Sequence, residues 1–135
     1  MDTYLDRAVA DRWAGVLCVE DEIGTPTIDD VEQFIEALDA KSRTLVSLYG
    51  RDGAYLSLGG GEGQYVVYVS ASDELLWNLL AEASQRSGIV LLNAGGQEGD
   101  FPARQVVDKR QALQAARVFV RTGQLDSSQR WEKRA

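Results

Sequence analysis

A chain of 135 residues, 44% of them hydrophobic, suits one domain with a real core and excludes a disordered chain. It contains no histidine, which removes Ser-His and Cys-His triads and the commonest metal ligand. Fourteen basic against 21 acidic residues leave a net charge of −7, a balance that repels nucleic-acid phosphates and favours basic protein partners, although solubility alone accounts for it equally well.

Residues 1–12 read as a polar, loosely held start. Trp13 to Glu20 reads as a strand, and the single cysteine, Cys18, falls in its apolar run Gly15-Val16-Leu17-Cys18-Val19 as a small core residue. One cysteine allows no internal disulfide framework and fits the cytosol. No apolar run approaches the ~20 residues of a membrane span, and no basic start leads into the apolar stretch of a signal peptide. A soluble, cytoplasmic protein that contacts neither membrane nor nucleic acid directly is therefore expected. Gly24-Thr25-Pro26 marks a turn. Thr27 then caps a helix running to about Ala40, with Asp29 and Asp30 at its positive end. Ile28, Val31, Ile35 and Leu38 line one face of that helix with Phe34 beside them; Asp30, Glu32, Gln33, Glu36 and Asp39 line the other.

Three strand-like runs follow. From Thr44 to Tyr49, Leu45, Ser47 and Tyr49 oppose Thr44, Val46 and Leu48; Ala54 to Leu58 alternates too, and Gln64 to Ser70 is rich in Val and Tyr. Arg51-Asp52-Gly53 is a hairpin turn, and Gly59-Gly60-Gly61-Glu62-Gly63 reads as a flexible connection between the next pair. Residues 72–88 are ambiguous. Ser72-Asp73-Glu74 could cap a helix burying Leu75, Leu76, Leu79, Leu80 and Ala83, whereas a sheet context makes Leu75 to Leu80 a strand. Ile89 to Asn93 is another strand, and Gly95 to Gly99 opens a long loop into Asp100-Phe101-Pro102.

The C-terminal quarter is the most patterned. Asp108 caps a helix with Gln111 three residues on, as in a capping box. Leu113, Ala116 and Val120 recur at helical spacing beside Ala112 and Phe119, Thr122-Gly123 stops the helix, and a polar segment leads to a last strand ending on Trp131. The acidic-Phe-Pro segment Asp100-Phe101-Pro102, the helix end Ala115-Ala116-Arg117-Val118-Phe119-Val120-Arg121-Thr122-Gly123 and Trp131 resemble the end of the first of the numbered Imm families of bacterial immunity proteins. Gln124-Leu125 stand where that family often has Arg-Pro. The resemblance implies a strand near Leu75 to Leu80, a structural Trp131, and a protein encoded beside a polymorphic toxin, notably a deaminase. With the element order it implies an α+β domain spanning residues 1–135: a single, mostly antiparallel sheet of about five to seven strands with two main helices on one face.

The glycine cluster lacks the Lys-Ser/Thr and following helix of a phosphate loop. Glu20-Asp21-Glu22 and Asp29-Asp30 lack calcium-loop spacing, so neither metal nor cofactor is expected. Trp13 and Trp77 read as core residues; Trp77 becomes an interface candidate if its segment is an exposed strand. The expected function is binding and not catalysis. The chain would block the active site of a cognate toxin, a cytosine deaminase acting on nucleic acid, by placing carboxylates in its basic cleft as a one-to-one complex. The residues expected to touch the toxin are Glu20, Asp21, Glu22, Glu62, Asp73, Glu74, Glu98 and Asp100, with Tyr65 and Trp77 as aromatic anchors. A small α+β enzyme or small-molecule sensor, and an oligomeric subunit pairing sheet edges, are the alternatives.

Overall fold

Strict alternation decides which way the central strands face. Val46 and Leu48, Leu56 and Leu58, and Val67 and Val69 are each no more than 1% exposed, while the residues between them form the other side. The computed structural model describes residues 3–70, 75–82 and 87–134. In chain order its elements are β1 (Leu5–Ala14), β2 (Leu17–Gly24), α1 (Ile28–Glu36), β3 (Leu45–Gly50), β4 (Tyr55–Gly61), β5 (Gln64–Ser70), β6 (Leu76–Leu79), β7 (Ile89–Asn93) and β8 (Glu98–Pro102). A 3-10 turn (Ala103–Gln105), α2 (Lys109–Thr122) and β9 (Trp131–Lys133) complete the chain. Seven strands form one antiparallel sheet in the order β2-β1-β3-β4-β5-β6-β9, and β7 pairs with β8 in a separate ribbon. This is the α+β architecture expected, with a second, smaller sheet added.

Both helices lie on the Val46–Leu56–Val67 side. Val31 and Ile35 of α1 and Ala112, Ala115, Ala116 and Phe119 of α2 join the sheet residues in one core. Removing the Phe119 side chain from water alone contributes about 2 kcal/mol. Thr27 and Asp30 cap α1 reciprocally: the Asp30 N–H donates to Thr27 Oγ1 at 3.2 Å and the Thr27 N–H to Asp30 Oδ2 at 2.9 Å. The helix stops at Glu36, short of Ala40, because the Asp39 carboxylate draws the next N–H groups into a turn. In α2, Asp108 accepts from the Gln111 N–H at 2.8 Å, and Gly123 ends the helix at φ 70°. Gln111 does not close the capping box; its side chain instead donates to Leu80 O and Gln129 Oε1, each at 3.0 Å, tying α2 to the segments around β6 and β9.

Several expectations change. Residues 5–12 are strand β1, whose two-residue period is broken by a register shift between Leu5 and Arg7. Trp13 to Glu20 is a hairpin and not one strand: Gly15, at φ 64°, turns the chain from β1 into β2, an edge strand on which Cys18 is exposed and not in the core. Asp100-Phe101-Pro102 lies in strand β8 and not in a loop, and the last strand starts on Trp131 instead of ending there. Gly59, Gly60 and Gly61 are buried members of β4, so the β4–β5 turn is only Glu62-Gly63. Leu76 to Leu79 is the strand that the resemblance implied, whereas Ser72, Asp73, Glu74 and Ala83 lie outside the described residues.

The glycines have a packing reason. The ribbon crosses the face opposite the helices, burying Leu92 with Val66 and Val106 and packing Val90, Ala94 and Phe101 against them. A Cβ on Gly59 would stand 2.5 Å from the Ala94 Cβ, and one on Gly60 3.0 Å from Leu92 Cδ2. The ribbon therefore sits where β4 has no side chains. Gly59→Val is expected to cost about 1–3 kcal/mol by overpacking. Hydrogen exchange in residues 88–102 should accelerate most; unchanged exchange there would contradict this seating.

Candidate functional site

One buried carboxylate organises the end of the sheet where β1 meets the ribbon. Asp11, 8% exposed, accepts from the Thr44 N–H at 2.7 Å, the Leu45 N–H at 2.9 Å and Trp13 Nε1 at 2.8 Å, and also from the Thr44 hydroxyl. Thr44 Oγ1 in turn accepts the N–H groups of Gly95 and Gly96, each at 3.0 Å. A charge this deep is tolerated because four donors replace water. Gly96 lies against the Trp13 ring, where any side chain would collide. The ribbon turn is thus fastened to β1 and β3.

Asp39 fixes the loop leading into β3. It accepts from the N–H groups of Arg43, Lys41 and Ser42, each at 2.9 Å, and from the Ser42 hydroxyl at 3.0 Å. The Arg43 N–H is the largest influence; with the other donors it outweighs burial and holds the Asp39 carboxyl at about 2, below its ordinary 3.8.

The ribbon's outer face carries an exposed mixture of apolar and acidic groups. Ile89, Leu91 and Asn93 stand opposite Pro102, Asp100 and Glu98. Ile89 is 69% and Leu91 60% exposed. Glu98 and Asp100 are exposed and form no ion pair among the described residues. Residues 89–102 contain no lysine or arginine to offset them.

The other candidates divide. Glu20 stands opposite Asp11 and shares the ribbon side of the sheet, as does Glu22, which pairs with Arg7 at 3.3 Å. Asp21 points to the helix side, held by Arg12 and Arg43 at 3.3 Å each; the Arg12 hydrogen bond chiefly lowers its pKa. Glu62 lies in the β4–β5 turn, 3.8 Å from Lys41. Trp77 is half-buried on β6, in register with Val69 and hence on the helix side. Tyr65, only 3% exposed, is a core residue and not a surface anchor, its backbone paired with Val107 at 3.0 and 2.8 Å. Asp73 and Glu74 lie outside the described residues. Ile89 and Leu91 escaped sequence reasoning, because the run Ile89-Val90-Leu91-Leu92 is apolar throughout and shows no outward-facing period.

A cleft of about 650 Å³ flanks α2, lined by Glu82, Arg110, Gln111, Arg117, Gln129 and Arg130 among others. Among the described residues lining it the sole carboxylate, Glu82, is ion-paired to Arg110. Arg117 is taken by Glu32, and Arg130 donates to Ala81 O at 3.0 Å.

The family profile of immunity protein Imm1 matches residues 1–133. The chain belongs to the Imm1 family. The match runs from β1 through β9, so it takes in the sheet, both helices and the ribbon. Membership makes this an immunity protein and implies a cognate toxin as its partner. No curated protein and no solved structure matches the chain. No helix among the described residues is long and apolar enough to cross a membrane.

The Asp39 turn gives this Imm1 protein a defined acid response. Its folded pKa lies below the unfolded one, so its stabilisation is complete above about pH 4 and is lost as pH falls toward about 2. Unfolding free energy measured from pH 5 downward, to about pH 2, should fall more steeply in the wild type than in Asp39→Asn. Equal slopes would show that the loop does not hold this carboxylate.

Proposed function

We propose that this immunity protein neutralises a nucleic-acid-modifying toxin, a cytosine deaminase, by covering its catalytic mouth in a one-to-one complex in the cytoplasm of the producing cell. The observation that carries the reading is the pair of exposed carboxylates, Glu98 and Asp100, which form no ion pair among the described residues, on a ribbon fastened by its turn. An enzyme that handles polyanionic nucleic acid needs a basic cleft, and acidic groups compete for it. A deaminase must also seat a flipped or single-stranded base in its pocket, so a lid over the entrance stops turnover without any chemistry. The resemblance of the C-terminal quarter supports the deaminase assignment.

The test is co-expression with the toxin domain encoded beside this protein, followed by purification and assay. A one-to-one complex, restored growth and loss of deaminase activity are the expected results. Association should slow by about tenfold or more as salt rises from roughly 50 to 300 mM, because charge steering is screened. Rescue without complex formation would refute occlusion, and a bound toxin with another activity would refute the deaminase assignment.

A further inference from the structure

We propose that the outer face of the β7–β8 ribbon is the docking element, with Ile89 and Leu91 as apolar anchors and Glu98 and Asp100 as flanking charges. The partner it fits is a protein cleft with a basic rim and an apolar recess; this assignment rests on the immunity reading above. The geometry separates two jobs. The inner side chains Val90, Leu92 and Phe101 hold the ribbon to Val66 and Val106, leaving Ile89 and Leu91 outside. Large apolar residues exposed side by side on a well-anchored ribbon are unusual unless something covers them. Anchoring also lowers the ordering cost of binding, since the turn is already fixed through Thr44 Oγ1 and its Gly95 and Gly96 donors.

Charge distinguishes the ribbon from two competing surfaces. At the β1–β2 end, Val16, Leu17 and Val19 are exposed, but Asp21 beside them is neutralised by Arg12 and Arg43. The tyrosine row on the uncovered part of the sheet, Tyr49, Tyr55 and Tyr68, carries cations: Arg7 stacks 4.2 Å from the Tyr49 ring centre and Arg134 5.8 Å from that of Tyr68. Both surfaces present positive groups to a basic cleft. Among the described residues the outer face of the ribbon presents carboxylates, apolar groups and Asn93 but no cation, and Glu20 extends the same side of the sheet.

The experiment measures binding kinetics of the purified protein with a catalytically inactive form of the toxin domain encoded beside it. Ile89→Ser/Leu91→Ser should raise Kd by about a hundredfold, mainly through faster dissociation, because buried anchors dominate interface energetics. Its Tm should be unchanged, since both side chains face solvent. Glu98→Lys/Asp100→Lys should slow association by about tenfold and flatten its salt dependence. Val16→Ser/Leu17→Ser should leave Kd within about twofold, as expected away from hot spots. If the wild type binds while both ribbon variants bind equally well, the ribbon assignment is wrong and the immunity reading stands. Loss of binding in the Val16/Leu17 variant alone would move the interface to the β1–β2 end. If the wild type does not bind, the immunity reading for that toxin fails and the ribbon assignment falls with it.

Discussion

The arrangement of the ribbon end of this protein depends on the burial of one negative charge. Asp11 sits under the ribbon turn, where an unpaired carboxylate would be strongly unfavourable. Its four donors come from Trp13, Thr44 and Leu45, so satisfying the charge sets the Trp13 ring and the start of β3 together. Thr44 then hands the constraint on, accepting both glycine N–H groups of the β7–β8 turn. Such a network places groups more sharply than apolar contact, since a small displacement leaves a buried donor or acceptor unpaired. Asp39 performs a related task at the surface by shaping the loop that delivers Thr44.

The two faces of the sheet answer to different demands. The helix side is closed by α1 and α2 and holds the main core, including Tyr65. The other side is covered only in part, by a ribbon lying over the side-chain-free stretch of β4. Leu92 and Ala94 occupy space that side chains on Gly59 and Gly60 would fill, so the glycines serve as a seat and not as a hinge. Glu22, Asp21, Glu32, Glu36 and Glu132 are matched by Arg7, Arg12, Arg117, Lys109 and Arg104, whereas Glu98 and Asp100 form no ion pair among the described residues.

Much of this was legible in the chain. Caps at Thr27 and Asp108, the glycine stop at Gly123 and the alternation through β3, β4 and β5 are local signals, and the elements follow them. Where reading failed, a non-local term outweighed the local one. The register shift between Leu5 and Arg7 hides β1, and the turn at Gly15 shows only in the pairing of β1 with β2 and β3. Cys18 lies in an apolar run that looks buried, yet its strand forms the sheet edge and leaves it exposed. Of the candidate contacts, Glu98 and Asp100 kept their exposure, Tyr65 went to the core, and Ile89 and Leu91 were invisible inside an unbroken apolar run.

The amino-acid order by itself determined the helices and their caps, the central strands, the acid excess and, through the C-terminal pattern, the kinship with immunity proteins. Each of these rests on interactions between near neighbours or on a sum over residues, which a linear string records. Only the tertiary structure decided which residues of Ile89-Val90-Leu91-Leu92 face water, which carboxylates are cancelled by distant arginines, and why three glycines stand in β4. Those are consequences of contacts between segments far apart in the chain: Asp11 with Thr44, Thr44 with Gly95, and Gly59 with Ala94.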